Sequence, residues 1–185
     1  MELIKYKEKD NIFNLDLNLF MENQGKIMNK YLSNLEGLTL FEKIDKYISQ
    51  IVEEIWEVKT AENNFDQAKE LCDVLMYLAS LYKLMEQETD NKPKMNFDNT
   101  VIYRSNQFNI DILFEEIINI RRLFPERKWH KIEVNQITLR HEEILVSMTM
   151  LYHMIINIFS ALLFIKDKFN FFDYITIKEQ KILSA

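Results

Sequence analysis

The chain has 185 residues, 48% of them hydrophobic, which is enough for one domain with a sizeable core. Its two glycines and two prolines leave little material for β-hairpins or glycine-rich phosphate loops, so the composition favours an all-helical protein. A net charge of −6 and a pI near 5.2 argue against nucleic acid as a partner. The single cysteine and the lack of a secretory signal predict a cytoplasmic location.

The N-terminal part of the chain is predicted to be an arm followed by a helix. Residues 1–12, MELIKYKEKDNI, are mixed in charge and are expected to form a loose arm. From Phe13 to about Leu35 the apolar residues recur at helical spacing, which predicts the first helix. Gly37 and Thr39 then mark a turn into the next helix.

Two acidic helices between Lys43 and Tyr82 dominate the sequence. In each, apolar residues recur three or four positions apart, which predicts two amphipathic helices. The two stripes consist of Ile44, Ile48, Ile51, Ile55 and Val58, and of Leu71, Val74, Leu75, Leu78 and Leu81. Asn63-Asn64 predicts the turn between the helices, and Asp66 is expected to cap the second one.

Each acidic helix carries two carboxylates three residues apart: Glu54 and Glu57 in the first, Glu70 and Asp73 in the second. Residues with this spacing lie on neighbouring turns of one helix face. If the helices pack antiparallel through their apolar stripes, all four acids converge at one rim of the seam. Like charges gathered in this way repel each other, and a hard divalent cation that prefers oxygen ligands relieves the repulsion.

Residues 53–57, EEIWE, and 70–78, ELCDVLMYL, form an ExxE motif, a short spacer and an ExxD motif. This pattern resembles the signature of the all-α nucleoside triphosphate pyrophosphatases, which include the MazG-like proteins and the dimeric dUTPases. The resemblance implies a multi-helix bundle that forms a homodimer and uses Mg²⁺, with Mn²⁺ as a substitute. The short spacer is closer to the MazG-like branch, because it lacks the Phe-Lys-x-Trp-type stretch that is usual in dimeric dUTPases.

The resemblance also implies roles for individual residues. The four acids of the two motifs would hold the metals, with Glu53 as a base or a substitute ligand. In the related proteins the first helix often carries a glutamine that helps to bind the base, and Gln24 stands in the matching place; the alternative is a solvated glutamine. Trp56 stacks on a base in one interpretation and packs against another helix in the other. Cys72 falls within the apolar pattern and is expected to be a core residue.

The rest of the chain is predicted to be a loop and a second helical half. Glu115-Glu116 echo Glu53-Glu54, but Asn119 stands where Glu57 would be, so a degenerate second copy of the acidic helix pair is only a weak hypothesis. A basic cluster after Pro125 could supply the counter-charge that a triphosphate needs, and a solvated turn is its alternative. Its candidate substrate ligands are Arg127, Lys128 and Lys131. The predicted organisation is one all-helical domain over residues 1–185, with motif-bearing helices at 13–86, a loop at 87–107 and the second half at 108–185.

Residues 144–165 contain no charged residue and are long enough to span a bilayer. However, a set of polar residues falls within one sector of the helical projection. They are Glu142, Thr149, His153, Asn157 and Ser160. This stripe favours a buried helix or a dimer interface over a membrane span. The last ten residues suggest no function.

Other chemistries are excluded by missing motifs: the sequence has no P-loop, CxxC or nucleophile elbow, and no Glu-x-x-His of a di-iron bundle. We therefore expect an Mg²⁺-dependent hydrolase of nucleotide metabolism. It would convert a (deoxy)nucleoside triphosphate such as dUTP or dCTP to the monophosphate and pyrophosphate. The alternative is a non-catalytic helical interaction or regulatory protein with the same fold.

Overall fold

The computed structural model describes residues 4–88, 97–98, 100–124 and 141–185. Over these residues the chain is mostly helical, so the prediction of a multi-helix bundle is confirmed, and a small sheet accompanies it. The helices are α1 (Asn18–Leu32), α2 (Leu40–Thr60), α3 (Asn64–Gln87), α4 (Ile110–Leu123), α5 (His141–Phe164) and α6 (Phe171–Ser184), with a short 3-10 turn at Ser33–Leu35. The strands are β1 (Lys5–Lys9), β2 (Ile12–Asp16) and β3 (Thr100–Tyr103).

The sheet corrects the prediction for the N-terminal part of the chain. Antiparallel strands β1 and β2 replace the expected loose arm, and β3, which pairs with β2, lies inside the predicted loop at 87–107. The first helix begins at Asn18 rather than Phe13 because the residues before it alternate with period two. Phe13 and Leu15 of β2 are fully buried, while Asn14 between them is exposed.

A tight turn at Asp10 and Asn11 joins β1 to β2. The φ angles of these residues are 51° and 64°, in the left-handed region. Short polar side chains tolerate this region better than most others, and two such residues in a row suit a two-residue hairpin loop. The Asp-Asn pair is therefore the local reason for a hairpin in a chain with very little glycine.

Side-chain caps fix the beginnings of α2 and α3. Thr39 and Glu42 form a reciprocal capping box: the Glu42 N–H donates to Thr39 Oγ1 at 3.2 Å, and the Thr39 N–H donates to the Glu42 carboxylate at 2.8 Å. At α3 the cap is Asn63, which accepts from the N–H groups of Phe65 and Asp66. The expectation that Asp66 would cap this helix is wrong, because Asp66 lies inside the first turn.

Helix α3 lies at the centre of the bundle. It packs against α1, α2, α5 and α6, and most of its residues are buried as a result. Leu75, Leu78 and Leu81 are fully buried, as the helical spacing of their stripe predicts. The acidic motif at the beginning of α3 is thus carried by the most deeply packed of the described helices.

Helix α5 contains the apolar segment. By length and composition residues 142–164 could cross a membrane, with a mean hydropathy of 1.7. In this fold α5 packs against α3 and α4, and the polar stripe lies on its outer side. Thr149, His153 and Asn157 are exposed, and the Ser160 hydroxyl donates to the carbonyl of Tyr103 in β3.

Candidate metal centre

The two acidic motifs face each other across the seam between α2 and α3. Two hydrogen bonds on either side show that the helices run antiparallel: Gln67 Nε2 donates to the Val58 carbonyl at 3.3 Å, and Tyr77 Oη donates to Gln50 Oε1 at 3.4 Å. In this register the ExxE motif lies opposite the ExxD motif. The arrangement follows from the two apolar stripes, which form the buried contact between the helices.

Three of the predicted ligands converge. One carboxylate oxygen from each of Glu54, Glu57 and Glu70 lies within 4.8 Å of the other two. Asp73, the fourth predicted ligand, is close enough that its charge raises the pKa of both Glu54 and Glu70. The structure therefore brings together three of the four acids that the sequence singled out, and Asp73 is near enough to interact electrostatically with two of them.

The electrostatics of the cluster are those of crowded, partly buried carboxylates. Burial, followed by the charges of Asp73 and Glu57, raises the pKa of Glu54 to about 7. Burial and the same two neighbours also raise the pKa of Glu70. Each raised pKa means that the ionised carboxylate is destabilised in the folded protein, and a bound cation would stabilise it again.

Helix α6 completes the cluster with two residues to which the sequence analysis gave no role. Lys178 Nζ donates to Asp73 Oδ2, and Tyr174 Oη donates to Asp73 Oδ1 at 3.4 Å. Burial raises the pKa of Asp73, and the lysine and the tyrosine work in the opposite direction. Lys178 is one of the last ten residues, for which the sequence suggested no function. The one signal in the sequence that could have pointed to its contact with Asp73 is its helical spacing from Tyr174.

Glu53 and Trp56 lie on the outer side of α2. Glu53 is exposed and accepts a hydrogen bond from Gln50 Nε2 at 3.3 Å. The Trp56 side chain is 65% exposed, so the interpretation that it packs against another helix is wrong for the described part of the chain. With Val52 and Phe114 it lines a surface pocket of about 610 Å³, a size that suits a small ligand.

Gln24 is not the solvated glutamine of the alternative interpretation. It is fully buried, its Nε2 donates to Glu179 Oε1 at 2.6 Å, and its Oε1 accepts from Ser80 Oγ at 3.5 Å. Asn23 Nδ2 donates to the other Glu179 oxygen at 2.9 Å. Two of the residues that were expected to bind ligands, Asp73 and Gln24, are therefore in contact with successive residues of α6, Lys178 and Glu179.

Three of the predicted substrate ligands cannot be compared with the fold, and Cys72 can. Arg127, Lys128 and Lys131 lie outside the described residues. Cys72, next to Asp73, is fully buried, which confirms that it is a core residue, and burial raises the pKa of its thiol.

Comparisons with protein-family models, curated proteins and solved structures found no match to this chain. The resemblance to the all-α pyrophosphatases therefore rests on the two motifs. The geometry adds information about the ligand atoms that the cluster offers. The cluster offers carboxylate oxygens, with no sulfur or imidazole ligand among the grouped residues, and such a set suits a hard cation such as Mg²⁺ or Mn²⁺.

Proposed function

We propose that the protein is a divalent-metal-dependent nucleotide pyrophosphatase. Its substrate would be a (deoxy)nucleoside triphosphate such as dUTP or dCTP, and its products the monophosphate and pyrophosphate. The observation that carries the proposal is the convergence of Glu54, Glu57 and Glu70, with Asp73 beside them, across the α2–α3 seam. The homodimer, which the resemblance implies, and the cytoplasmic location, which the sequence predicts, remain predictions.

The carboxylates would hold the metal, and the exposed side of the cluster would face the substrate. Mg²⁺ is usually bound by a few carboxylates together with substrate phosphates, and this cluster leaves room for such sharing because Glu57 is exposed and Glu54 and Glu70 are half-buried. When bound, the metal would supply positive charge beside the phosphate oxygens and lower the pKa of water. Water would add to the α-phosphorus and give up a proton to a carboxylate of the cluster or to solvent, and the bond from that phosphorus to the bridging oxygen would break, so that pyrophosphate leaves with the bonding electrons.

For the base we propose the pocket between Trp56 and Phe114. Both aromatic side chains are exposed, and Glu53 and Glu57 line the same pocket. A base stacked on the aromatic rings would therefore lie beside Glu57, one of the acids of the cluster. Gln24 would serve a base only after Glu179 has released its amide. Stacking on an aromatic face tolerates many bases, and the pocket alone does not select among uracil, cytosine and a modified purine.

The second candidate is a non-catalytic interaction or regulatory protein with the same fold. The ion pair between Lys178 and Asp73 favours it, because a lysine that permanently neutralises a ligand would leave a structural rather than a metal-binding cluster. The two candidates differ in whether a divalent cation binds at the seam.

The test is pyrophosphate release from a panel of (deoxy)nucleoside tri- and diphosphates with Mg²⁺, with Mn²⁺ and with EDTA. We expect metal-dependent cleavage of triphosphates that is lost in Glu70→Gln and kept in Glu62→Gln, a matched change at an exposed position between α2 and α3. Silence across the panel from folded protein, or full activity of Glu70→Gln, would reject the enzyme. Cleavage of dUDP as well as dUTP would favour the dimeric dUTPase branch.

A further inference from the structure

The C-terminal helix α6 covers the acid cluster with a charged residue rather than an apolar one. Lys178 Nζ is bonded to Asp73, whose side chain is only 10% exposed. The cluster thus already contains one positive charge.

The next residue ties α6 to a second helix. The Glu179 carboxylate is fully buried and accepts from Asn23 Nδ2 and Gln24 Nε2 of α1, at 2.9 and 2.6 Å. Lys178 and Glu179 therefore attach neighbouring points of α6 to α3 and α1, respectively. A shift of this part of α6 would break both attachments together, because the two residues are adjacent in one rigid helical turn.

Most of the attachment at this end of α6 is polar. The buried residues of α6 are Phe171, Ile175 and Glu179, so its buried apolar anchors lie in the first two turns. Beyond Ile175, the helix is held by the contacts of Lys178 and Glu179, by Lys30, which donates to the carbonyls of Ile182 and Ala185, and by the half-buried Ile182 side chain, which packs against the core. Polar contacts exchange with water at a small net cost, and Ile182 is the one half-buried apolar side chain beyond Ile175, so the C-terminal end of α6 can separate while Phe171 and Ile175 stay in the core.

A divalent cation at the seam would compete with this lysine. Asp73 can offer its carboxylate to Lys178 or to a metal shared with the three glutamates, and two cations at adjacent positions repel each other. We propose that Lys178 is an internal counter-ion of the metal centre: it holds Asp73 in the metal-free protein and is displaced when a divalent cation binds. Displacement frees the C-terminal end of α6 and exposes the amides of Asn23 and Gln24. This inference rests on the metal centre of the proposed function and adds its regulation.

The first test measures Mn²⁺ affinity by calorimetry for metal-free wild type and three variants. Lys178→Met keeps the apolar stem and removes the charge, so we expect it to bind Mn²⁺ about tenfold more tightly, as is typical for one partly screened charge. Lys178→Arg keeps the charge and should bind like wild type. Lys181→Met, one turn further along α6 at an exposed position, is the matched control and should also bind like wild type.

The second test uses the wild type alone and does not depend on how a variant folds. Hydrogen exchange of the amides at 178–184 should become faster when Mn²⁺ is added, while exchange in α3 slows. Mn²⁺ binding with equal affinity in wild type and Lys178→Met, or with unchanged exchange in α6, overturns the counter-ion role and leaves the metal centre standing. If neither protein binds Mn²⁺, the metal centre is rejected, and the proposed function with it.

Discussion

Both halves of the chain place two consecutive glutamates on a helix, yet their surroundings differ. On α2, Glu54 faces three other carboxylates, and burial and those charges raise its pKa to about 7. On α4, the half-buried Glu116 faces His153 of α5, which lowers its pKa against the larger opposing effect of burial. The same residue type therefore has several carboxylates as neighbours in one half and a histidine as a neighbour in the other.

The difference teaches that a pair of glutamates becomes part of a larger carboxylate cluster only when the neighbouring helix carries a second acidic pair at the same level. Helix α3 does this because three residues connect it to α2, so the acids on either side of the turn come to the same level. Helices α4 and α5 also pack together, but Asn119 replaces the second acid and is exposed. The hypothesis of a degenerate second copy stays a prediction, and only the first pair carries a proposed site.

The largest expected effect is the loss of activity when an acid of the α2 cluster is removed. Glu57→Ala should lower pyrophosphate release about 1000-fold, as is typical when a group that stabilises charge in the transition state is removed. Glu115→Ala on α4 should leave the rate within about twofold, because Glu115 is exposed and belongs neither to the acid cluster nor to the lining of the pocket between Trp56 and Phe114. The measurement is steady-state turnover with Mg²⁺, with circular dichroism to verify the helices. Equal losses in the two variants would contradict the difference between the halves.

A smaller effect concerns Glu179, a solitary buried carboxylate that meets amides rather than other acids. Burial raises its pKa from an ordinary 4.5 to about 7, so between these values the folded protein holds a proton that the unfolded chain releases. Its contribution to stability is therefore complete below about pH 4.5 and is lost as the pH rises through 7. The loss is on the order of 3 kcal/mol, because one pKa unit corresponds to about 1.4 kcal/mol.

The measurement is urea unfolding in EDTA from pH 4.5 to pH 8. Wild type should lose stability over this range, and Glu179→Gln, which cannot ionise, should lose less. Glu36→Gln, at an exposed position, is the matched control and should follow wild type. A pH profile of Glu179→Gln that is identical to that of wild type would show that this carboxylate keeps its ordinary pKa in the folded protein.

The smallest expected effect is no effect at all. Asn119→Glu would give α4 an ExxE motif together with Glu116, in imitation of α2. Because the described part of α5 contains no ExxD motif, this variant should bind no more Mn²⁺ than wild type in a calorimetric titration. An additional binding site in Asn119→Glu would show that one helix pair suffices and would remove the distinction between the halves.

The parts of the fold that the sequence predicts are those set by local spacing. The register of Glu57 against Glu70 follows from two amphipathic helices joined by a short turn, and every step lies within a few residues. The β-hairpin was missed because Asp-Asn is a less familiar hairpin turn than Asn-Gly, and because β3 is far from β2 in the chain. Lys178 and Glu179 were missed for the same reason: their partners Asp73 and Gln24 lie 105 and 155 positions away, and no periodicity encodes that contact.

Cys72 gives the site a built-in reporter. It is the only cysteine in the sequence, it is fully buried, and it lies on α3 next to Asp73. A thiol reagent can reach it only when the packing around this turn of α3 opens, so the labelling rate measures the free energy of that opening in the unmodified protein. Slower labelling in the presence of Mn²⁺ would mean that the cation tightens α3, and one absorbance trace would be enough to record it.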